Sequence, residues 1–484
     1  MAGRSAMVER LRAAGMHTVF VAEGVESAPV GDSALEWVHA PPPVARTLAM
    51  AAGELGPHPG VYFDGDWAVA TGLVSQTETP SVLSADAALP TLRSLSPRWF
   101  VVPSSSDRRN PQFAPDAQHG TEPQGSTGTH SALGVDVTRS GPAGSAVGEA
   151  RDPQDPAIPA MLDDVWGFIV GPGVRRSGRE ADWRALSISL GLGVFNTIGA
   201  KGFFEWDDPL HLGTVGLQVG DADATGLPPG SLLAAGIDHV ELTDPGWNDL
   251  IAAHVPVDAA RALTRSTADS PVTVESLGLG LAAALTQRAP GTQRRFYDTV
   301  SRLAQQLYAG DVAPGGPAAL MGELSGMLQR HRLPISLVSA SPGVSGFIVG
   351  RLFPTPSGAR VLVPARNVDG GAVALAVVAA LARPDLIPLA FVDDVQSPMT
   401  SALLEWARRL GLTVLVVHWT EGSGSSGELG RRLLANVTDL RSGVTRDRVL
   451  IAEGQARMHE TIATLVEALG PIALWRDAPR LGEV

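Results

Sequence analysis

Residues 168–197 constrain the fold of this chain more than any other stretch. An apolar run that begins at Phe168 stops at Gly171-Pro172-Gly173, which is typical of a buried strand ending in a tight turn. Residues 182–192 carry apolar side chains at helical spacing, and residues 193–197 form a second apolar run. Strand, helix and strand in this order make the crossover unit of a parallel β-sheet. The sequence therefore predicts an α/β protein built from doubly wound parallel sheets.

Length and composition limit the class of protein further. A chain of 484 residues is too long for one ordinary core, and a hydrophobic content of 44% can fill several. The formal net charge of −13 argues against a nucleic-acid partner, since phosphate binding needs clustered Lys and Arg. The absence of cysteine excludes disulfides and thiolate metal sites. No apolar run reaches the roughly 20 residues of a membrane helix, and charges interrupt the N-terminal segment. We therefore expect a cytoplasmic protein without a membrane partner.

Shifts in composition divide the chain into four parts. We expect a shortened first domain over residues 1–103, a linker over 104–160, a central domain over 161–270 and a third domain over 271–484. The linker is rich in Ser, Gly, Pro and charged residues and has few large apolar side chains. Burial cannot offset the entropy of ordering such a segment, so we predict that the linker is disordered.

Short apolar runs predict the remaining elements. In the central domain we expect a short helix over 231–235 and a strand over 237–242. Arg175 and Arg176 follow the first turn, where they could meet a phosphate or be solvated. Strands are predicted elsewhere at Thr18–Ala22, Gly60–Phe63, 99–103, 335–338, 360–364 and Ile387–Val392, and a helix at 272–289.

Two motifs resemble a known family. A helix candidate of small residues begins at Gly370-Gly371 and closes with Ala-Arg-Pro-Asp at 382–385. A spaced motif also follows the second strand of the central unit; it consists of Asn196-Thr197, Gly199, Lys201-Gly202, Asp208-Pro209, Leu212-Gly213 and Gly216. This spaced motif resembles the central domain of thiamine-diphosphate (ThDP) enzymes of the acetolactate synthase and 2-oxo acid decarboxylase superfamily. The small-residue helix resembles one in their third domain.

The resemblance implies a fold, a cofactor and an assembly. Three α/β domains would bind ThDP and Mg²⁺ and act on a 2-oxo acid, and some relatives also bind FAD or ADP at the central domain. Active sites in the family form between protomers, so a homo-oligomer or a hetero-oligomer with a related ThDP subunit is expected. Carried over position by position, the cofactor-binding candidates are Gly370, Gly371, Asp393, Asp394 and His418, and Asp393 is the metal-ligand candidate.

The chain departs from the family where catalysis needs particular residues. Val44 stands where the family has the Glu that activates the cofactor, although glyoxylate carboligase also has Val there and is active. Asp394 replaces a Gly, and His418-Trp419 replaces the Asn-Asn pair that supplies a second Mg²⁺ ligand. Trp offers no oxygen ligand, and Mg²⁺ prefers oxygen. Asp369 stands where an apolar residue should support the cofactor. No catalytic residue can be assigned from the sequence.

Three functions remain open at this point. The chain could be a non-catalytic structural or regulatory partner that has kept the fold and lost or altered cofactor binding. It could be an active ThDP-dependent carboligase or decarboxylase of a 2-oxo acid. It could bind a nucleotide or another small molecule through the central domain. Fold resemblance does not decide among them, because chemistry resides in the site.

Overall fold

The fold is known here from a computed structural model. It describes residues 2–25, 35–74, 81–82, 97–102, 165–261, 295–330, 335–355, 360–364, 368–422, 426–442 and 447–474. These residues form three β-sheets with helices packed against them, which confirms the predicted α/β class. The predicted linker over 104–160 and the predicted helix over 272–289 lie outside the described residues, and the exact domain limits stay a prediction. Within the described ranges, none of the helices combines the length and apolar character needed to cross a bilayer.

The first sheet has six strands in the order β2-β1-β3-β4-β6-β5 and is mixed in direction. Strand β4 runs antiparallel to both of its neighbours because Asp64-Gly65-Asp66 turns the chain straight back from β3, with Gly65 at φ 115°. The strands are β1 (Thr18–Ala22), β2 (Glu36–Ala40), β3 (Gly60–Phe63), β4 (Trp67–Ala70), β5 (Ser81–Val82) and β6 (Trp99–Val102), and the helices are α1 (Ala2–Ala13) and α2 (Pro42–Leu55).

The second sheet has five parallel strands in the order β11-β10-β7-β8-β9. Its first crossover confirms the predicted unit: β7 leads through α4 into β8, and Gly191 ends α4 in a left-handed conformation at φ 63°. The strands are β7 (Gly167–Val170), β8 (Gly193–Thr197), β9 (His211–Val215), β10 (Leu232–Ala235) and β11 (Ile251–Val255), and the helices are α3 (Pro172–Arg176), α4 (Glu180–Leu190), α5 (Asp221–Thr225) and α6 (Gly246–Leu250).

The third sheet also has five parallel strands, in the order β13-β12-β14-β15-β16. Its strands are β12 (Ile335–Ala340), β13 (Arg360–Leu362), β14 (Ile387–Val392), β15 (Val414–Glu421) and β16 (Val449–Ala456). Its helices are α7 (Arg295–Ala309), α8 (Pro317–Arg330), α9 (Val344–Leu352), α10 (Gly371–Ala382), α11 (Pro398–Arg409), α12 (Ser426–Ser442) and α13 (Met458–Leu469).

The first and third sheets share one apolar core. Helix α10 is built of Ala, Val and Leu and is buried along nearly its whole length, so it can pack closely on both sides. One side lies against the third sheet, and the other lies against α2 of the first. The indole Nε1 of Trp406 donates to the backbone oxygen of His39 at 3.2 Å across this contact. The two sheets therefore form a continuous packed body around α2 and α10.

The prediction for residues 231–242 was wrong in both elements. Leu232–Ala235 is a strand rather than a helix, and residues 237–242 form a loop rather than a strand. Periodicity cannot distinguish a helix from a strand in a run of only four apolar residues. The loop instead supplies two acidic side chains, Asp238 and Glu241, to a buried charge cluster described below.

Candidate functional site

The candidate site lies at the carboxyl edge of the third sheet, outside the ends of β12, β14 and β15. In this strand order the chain reverses direction of winding between β12 and β14, and ligands of doubly wound sheets bind at such a point. The cofactor-binding candidates from the sequence lie along this edge: Asp393 and Asp394 after β14, His418 within β15, and Gly370 and Gly371 where α10 begins.

Asp393 faces the N-terminus of α9. Its Oδ1 accepts a hydrogen bond from the backbone amide of Ser345 at 2.9 Å. A carboxylate is favoured at this end of a helix because free amides and the helix dipole meet it there. Gly343 has φ 128°, and a Cβ at this position would lie 2.7 Å from Oδ2 of Asp393, so the close approach requires glycine. The carboxylate of Asp393 thus lies at the helix N-terminus where a bound anion would otherwise be favoured.

The protonation of Asp393 reflects two opposing influences. The residue has solvent-accessible surface, yet protein atoms surround its carboxylate on most sides, and this loss of hydration raises its pKa. The hydrogen bonds from Ser345 lower the pKa of Asp393, and so does the electrostatic effect of the nearby His418. Ser345 thus engages Oδ1 of Asp393, while the residue keeps surface exposed to solvent.

Trp419 fills the position where the family carries the second Asn. It is 2% exposed, and its ring centroid lies 5.1 Å from that of Phe391 on the neighbouring strand. Its indole Nε1 donates to the hydroxyl of Ser345 at 2.6 Å. Ser345 therefore links Trp419 and Asp393, and the three side chains form a closed group of satisfied contacts.

Asp394 and Asp369 serve backbone groups of neighbouring turns. Asp394 is exposed, and its Oδ1 accepts from the amide of Gln396 at 2.8 Å. Asp369 Oδ2 accepts from the amide of Met399 at 3.4 Å, next to the start of α11. These carboxylates stabilise local turns. Neither can do what the resemblance expects at its position, because a carboxylate provides neither the open space of a Gly nor an apolar support.

Side chains close over the N-terminus of α10. Gly370 has φ 69°, and a Cβ there would lie 2.7 Å from Cγ of Met399 and 2.8 Å from Cδ1 of Leu403. A Cβ on Gly371 would lie 3.6 Å from Cδ1 of Leu73 in the first sheet's segment. Close packing and the positive φ thus explain Gly370, whereas a side chain at Gly371 would make an ordinary van der Waals contact.

Val44 lies at the start of α2 and is 1% exposed, inside the core shared with α10. The α2 carboxylate is Glu54, at the other end of the helix, where it meets Arg176 at 3.7 Å. The structure therefore brings no acidic group of α2 to the position of Val44.

A cavity of ~370 Å³ opens beside His418, at the carboxyl ends of β15 and β16. His418 Nδ1 lies 3.9 Å from Glu453 Oε1, and Arg432 pairs with Glu428 at 2.5 Å. The cavity is lined by His418, Thr420, Glu428, Leu429, Arg432, Glu453, Gly454 and Gln455. This lining carries both signs of charge and several neutral polar groups.

The residues present at this edge do not fit a diphosphate held by Mg²⁺. Mg²⁺ needs near-octahedral oxygen ligands, and the positions beside Asp393 hold an indole and an imidazole. A second carboxylate, Asp394, would repel the diphosphate. Among the described residues, no three His, Cys, Asp or Glu side chains gather in a way that could hold a metal ion.

The turn after β7 does not offer a phosphate cradle either. A Cβ on Gly171 would lie 2.3 Å from the backbone oxygen of Gly236, and one on Gly173 would lie 2.8 Å from Gly236 Cα. The glycines allow two turns to touch. The contact between the two turns therefore accounts for these glycines without a bound phosphate.

Sequence reasoning missed a buried charge cluster between the first and second sheets. Arg176 is 1% exposed; its two terminal nitrogens donate to Asp238 at 3.0 and 2.6 Å. Glu241 accepts from the amides of Gly199 and Asp238 at 3.0 and 3.1 Å. The expectation that Arg175 and Arg176 are solvated was wrong, because both are buried in ion pairs. No local spacing signals a pair separated by 62 positions.

Burial governs the protonation of this cluster. Loss of hydration raises the pKa of Glu54 more than Arg176 lowers it, and burial together with Asp238 raises the pKa of Glu241. The neighbouring carboxylates hold the pKa of Arg176 above its ordinary value despite burial. Arg176 is thus the fixed positive charge around which Glu54, Asp238 and Glu241 are arranged.

No protein-family model matches this chain, and a search of curated proteins finds no match. The ThDP family remains a resemblance based on the motifs given above and on a compatible architecture of three α/β sheets.

Proposed function

We propose that this chain is a non-catalytic protein of the ThDP-enzyme type that acts as a structural or regulatory partner, in a homo-oligomer or with a related ThDP subunit. The observation that carries the proposal is the closed group of Asp393, Ser345 and Trp419. Asp393 is aligned with the family's metal ligand, but its carboxylate accepts the Ser345 amide at 2.9 Å. Trp419 then fills the position of the second ligand and bonds the Ser345 hydroxyl at 2.6 Å.

Energetic considerations support the loss of the cofactor. Opening the group would remove a buried indole from its contacts, and large core side chains contribute about 3–5 kcal/mol. It would also remove the hydrogen bond that the Ser345 hydroxyl accepts from the indole. A diphosphate would then enter beside two carboxylates, Asp393 and Asp394, with Asp393 as the one family ligand retained. Each of these costs weakens the binding of ThDP.

The first sheet supports the same conclusion. Val44 lies in the core shared by α2 and α10 at 1% exposure, so an acid at this position would be buried among apolar groups. A partner subunit needs the fold and its surface for assembly, but it does not need the polar groups of a catalytic site. A three-sheet architecture without the family's Glu and second metal ligand meets this description.

Calorimetric titration of ThDP with Mg²⁺ into the full chain tests the cofactor part of the proposal. We expect no heat of binding at millimolar cofactor. Micromolar binding would contradict the proposal and favour the alternative, an active carboligase or decarboxylase of a 2-oxo acid. The double variant Trp419→Asn, Asp394→Gly is the matched control, because it opens the group and removes one repelling charge. Binding gained by this variant alone would support the assignment of the edge.

Co-expression with a ThDP-enzyme subunit tests the partner part. We expect a hetero-oligomer by native mass spectrometry and a change in the subunit's turnover. A chain that stays separate from the subunit, and leaves its turnover unchanged, would count against a regulatory role.

The cavity beside His418 favours a second candidate function, the binding of a small polar molecule. Its volume of ~370 Å³ falls within the range of small-molecule sites, and it opens at the carboxyl ends of parallel strands. The sequence placed such binding in the central domain, whereas the cavity belongs to the third sheet. Ligand-observed NMR with a library of polar fragments tests this function. Fragments that bind the wild type and lose binding in Gln455→Leu would support it.

A further inference from the structure

Lys201 is the only lysine in the chain and is buried beside the second sheet. The residue is 1% exposed, and its Nζ has no hydrogen-bond partner among the described residues. The indole ring of Trp206 lies beneath the amine, with its centroid 5.2 Å from Nζ. Such a contact offsets only part of the hydration that a buried ammonium loses.

Arg351, a second buried cation, acts on the same amine. Arg351 is 1% exposed, and its Nη1 donates to the backbone oxygen of Thr214 at 3.0 Å. Its Nη2 donates to both oxygens of Asp221, at 2.7 and 2.9 Å. The remaining nitrogen, Nε, is buried and has no hydrogen-bond partner in the described part of the chain. Asp221 is thus engaged by Arg351, and no carboxylate of the described residues pairs with Lys201.

This arrangement favours the neutral amine. Burial lowers the pKa of Lys201 to about 7, and repulsion by Arg351 adds to the effect. A neutral amine has a free electron pair and is a nucleophile, whereas an ammonium is not. The guanidinium that disfavours an ammonium would favour an anion formed at the same nitrogen.

We propose that Lys201 is a site of reversible modification by carbon dioxide. The electron pair of Nζ attacks the carbon of CO₂ and forms an N–C bond, while one C–O π pair moves onto oxygen. The nitrogen then releases one proton to the buffer, so the product is a carbamate with one negative charge. No oxidant, reductant or leaving group is involved.

The carbamate suits the chemistry of the site. It places an anion near the buried Arg351 cation, and its oxygens are acceptors where Nζ of Lys201 and Nε of Arg351 have no hydrogen-bond partner among the described residues. CO₂ is small and apolar, so the apolar packing around Lys201, which is 1% exposed, hinders its entry less than that of a charged reagent. Bound water could also satisfy the donors but would supply no negative charge near Arg351.

¹³C NMR of the full chain in ¹³C-bicarbonate tests the proposal. We expect one carbamate resonance beyond that of the N-terminal amine, which serves as an internal reference. Because the chain has a single lysine, Lys201→Met and Lys201→Arg should both remove the extra resonance and keep the reference. The proposal is overturned if the folded wild type shows no extra resonance, if the resonance persists in either variant, or if it appears only in denaturant.

Two further measurements test the proposal on the wild-type protein. Trapping the wild type with a carbamate-alkylating reagent should give a peptide modified at Lys201, and an unmodified peptide would contradict the proposal. The Tm of the wild type should be higher in CO₂-saturated buffer than in a CO₂-free chloride buffer of the same pH and ionic strength. The Lys201→Arg variant should show no such shift. Equal shifts in both proteins would also overturn it.

Discussion

The carboxyl edge of the third sheet and the interior beside the second sheet treat polar side chains in opposite ways. At the edge, Asp393, Ser345 and Trp419 satisfy one another close to solvent. Beside the second sheet, Arg176 pairs with buried carboxylates, whereas Lys201 finds no hydrogen-bond acceptor among the residues that the structure describes; both side chains are 1% exposed. The edge lies where ligands of parallel sheets usually bind, but its side chains bond to one another. The interior beside the second sheet holds the charged groups whose burial costs free energy.

This difference shows where chemistry should be sought. A family motif directs attention to the edge, where the retained Asp393 now caps a helix. Buried charge with unsatisfied donors is expensive, so its presence asks for a structural or chemical explanation. The following predictions test the contrast, beginning with the largest expected effect.

Removal of Arg176 should cost the most. Arg176→Gln leaves the carboxylates of Glu54, Asp238 and Glu241 together in the interior, and breaking a buried pair typically costs about 3–5 kcal/mol. Urea unfolding at neutral pH measures the loss. Because Glu54 and Glu241 have raised pKa values, the loss should shrink as the pH falls and they become protonated.

The exposed pair of Arg383 and Asp385, at 2.9 Å, provides the control for Arg176. Arg383→Gln should leave the unfolding midpoint unchanged, because solvent screens a surface pair. If the two variants lose equal stability, the buried cluster has no special role in holding the first and second sheets together.

Replacement of Lys201 should stabilise the protein. Lys201→Met removes a buried amine and keeps the length of the side chain, with an expected gain of roughly 2–4 kcal/mol at neutral pH in CO₂-free buffer. The pKa of Lys201 falls from 10.5 unfolded to about 7 folded, so between these values the unfolded chain binds the extra proton. Wild-type stability therefore rises with pH across this window, and the advantage of the variant should shrink by about 1.4 kcal/mol per pH unit.

Urea unfolding of both proteins between pH 7 and pH 10 measures this convergence. Parallel pH profiles would show that Lys201 titrates normally in the folded state. That result would also remove the basis for treating the interior beside the second sheet as the unusual region.

A smaller loss is expected at the edge. Trp419→Phe keeps an aromatic ring against Phe391 but removes the hydrogen bond to Ser345, which leaves a buried hydroxyl without its donor. We expect a loss of about 1–2 kcal/mol in chemical denaturation. No ThDP binding should appear by calorimetry, because the ring still fills the position. Binding in this variant would mean that the hydrogen bond, rather than the ring, closes the site.

Asp394 should matter least. Asp394→Ala removes the bond to the Gln396 amide in an exposed turn, and such surface changes stay within about 0.5 kcal/mol. Thermal unfolding beside the wild type measures it. A large loss would indicate that this carboxylate has a structural role that its exposed position does not explain.

The sequence predicted those parts of the fold that depend on local pattern. Strands β7 and β8 and the crossover helix α4 follow from apolar runs, helical spacing and Gly-containing turns, and the structure confirms them. Residues 231–242 failed because four apolar residues fit a strand and a helix equally well. Strand β4 was also missed, since Asp64-Gly65-Asp66 turns the chain straight back from β3 into an antiparallel neighbour.

The site could be predicted only in part. The sequence indicated that Trp419 and Asp394 suit Mg²⁺ and diphosphate poorly, because this follows from residue chemistry. It could not indicate that Ser345 joins Trp419 to Asp393, since these contacts span 74 and 48 positions. The single lysine was visible in the sequence, but its burial depends on packing from Trp206 and α9.

The core shared by α2 and α10 has a consequence for synthesis on the ribosome. His39 and Trp406, which bond across this contact, are 367 positions apart. At ordinary elongation rates, roughly 20–70 s pass between their appearances. During that interval the side of α2 that packs against α10 lacks this partner, although the helix can already contact β1 and β3. We therefore expect the nascent first sheet to depend on chaperones, and slowing elongation should increase its aggregation.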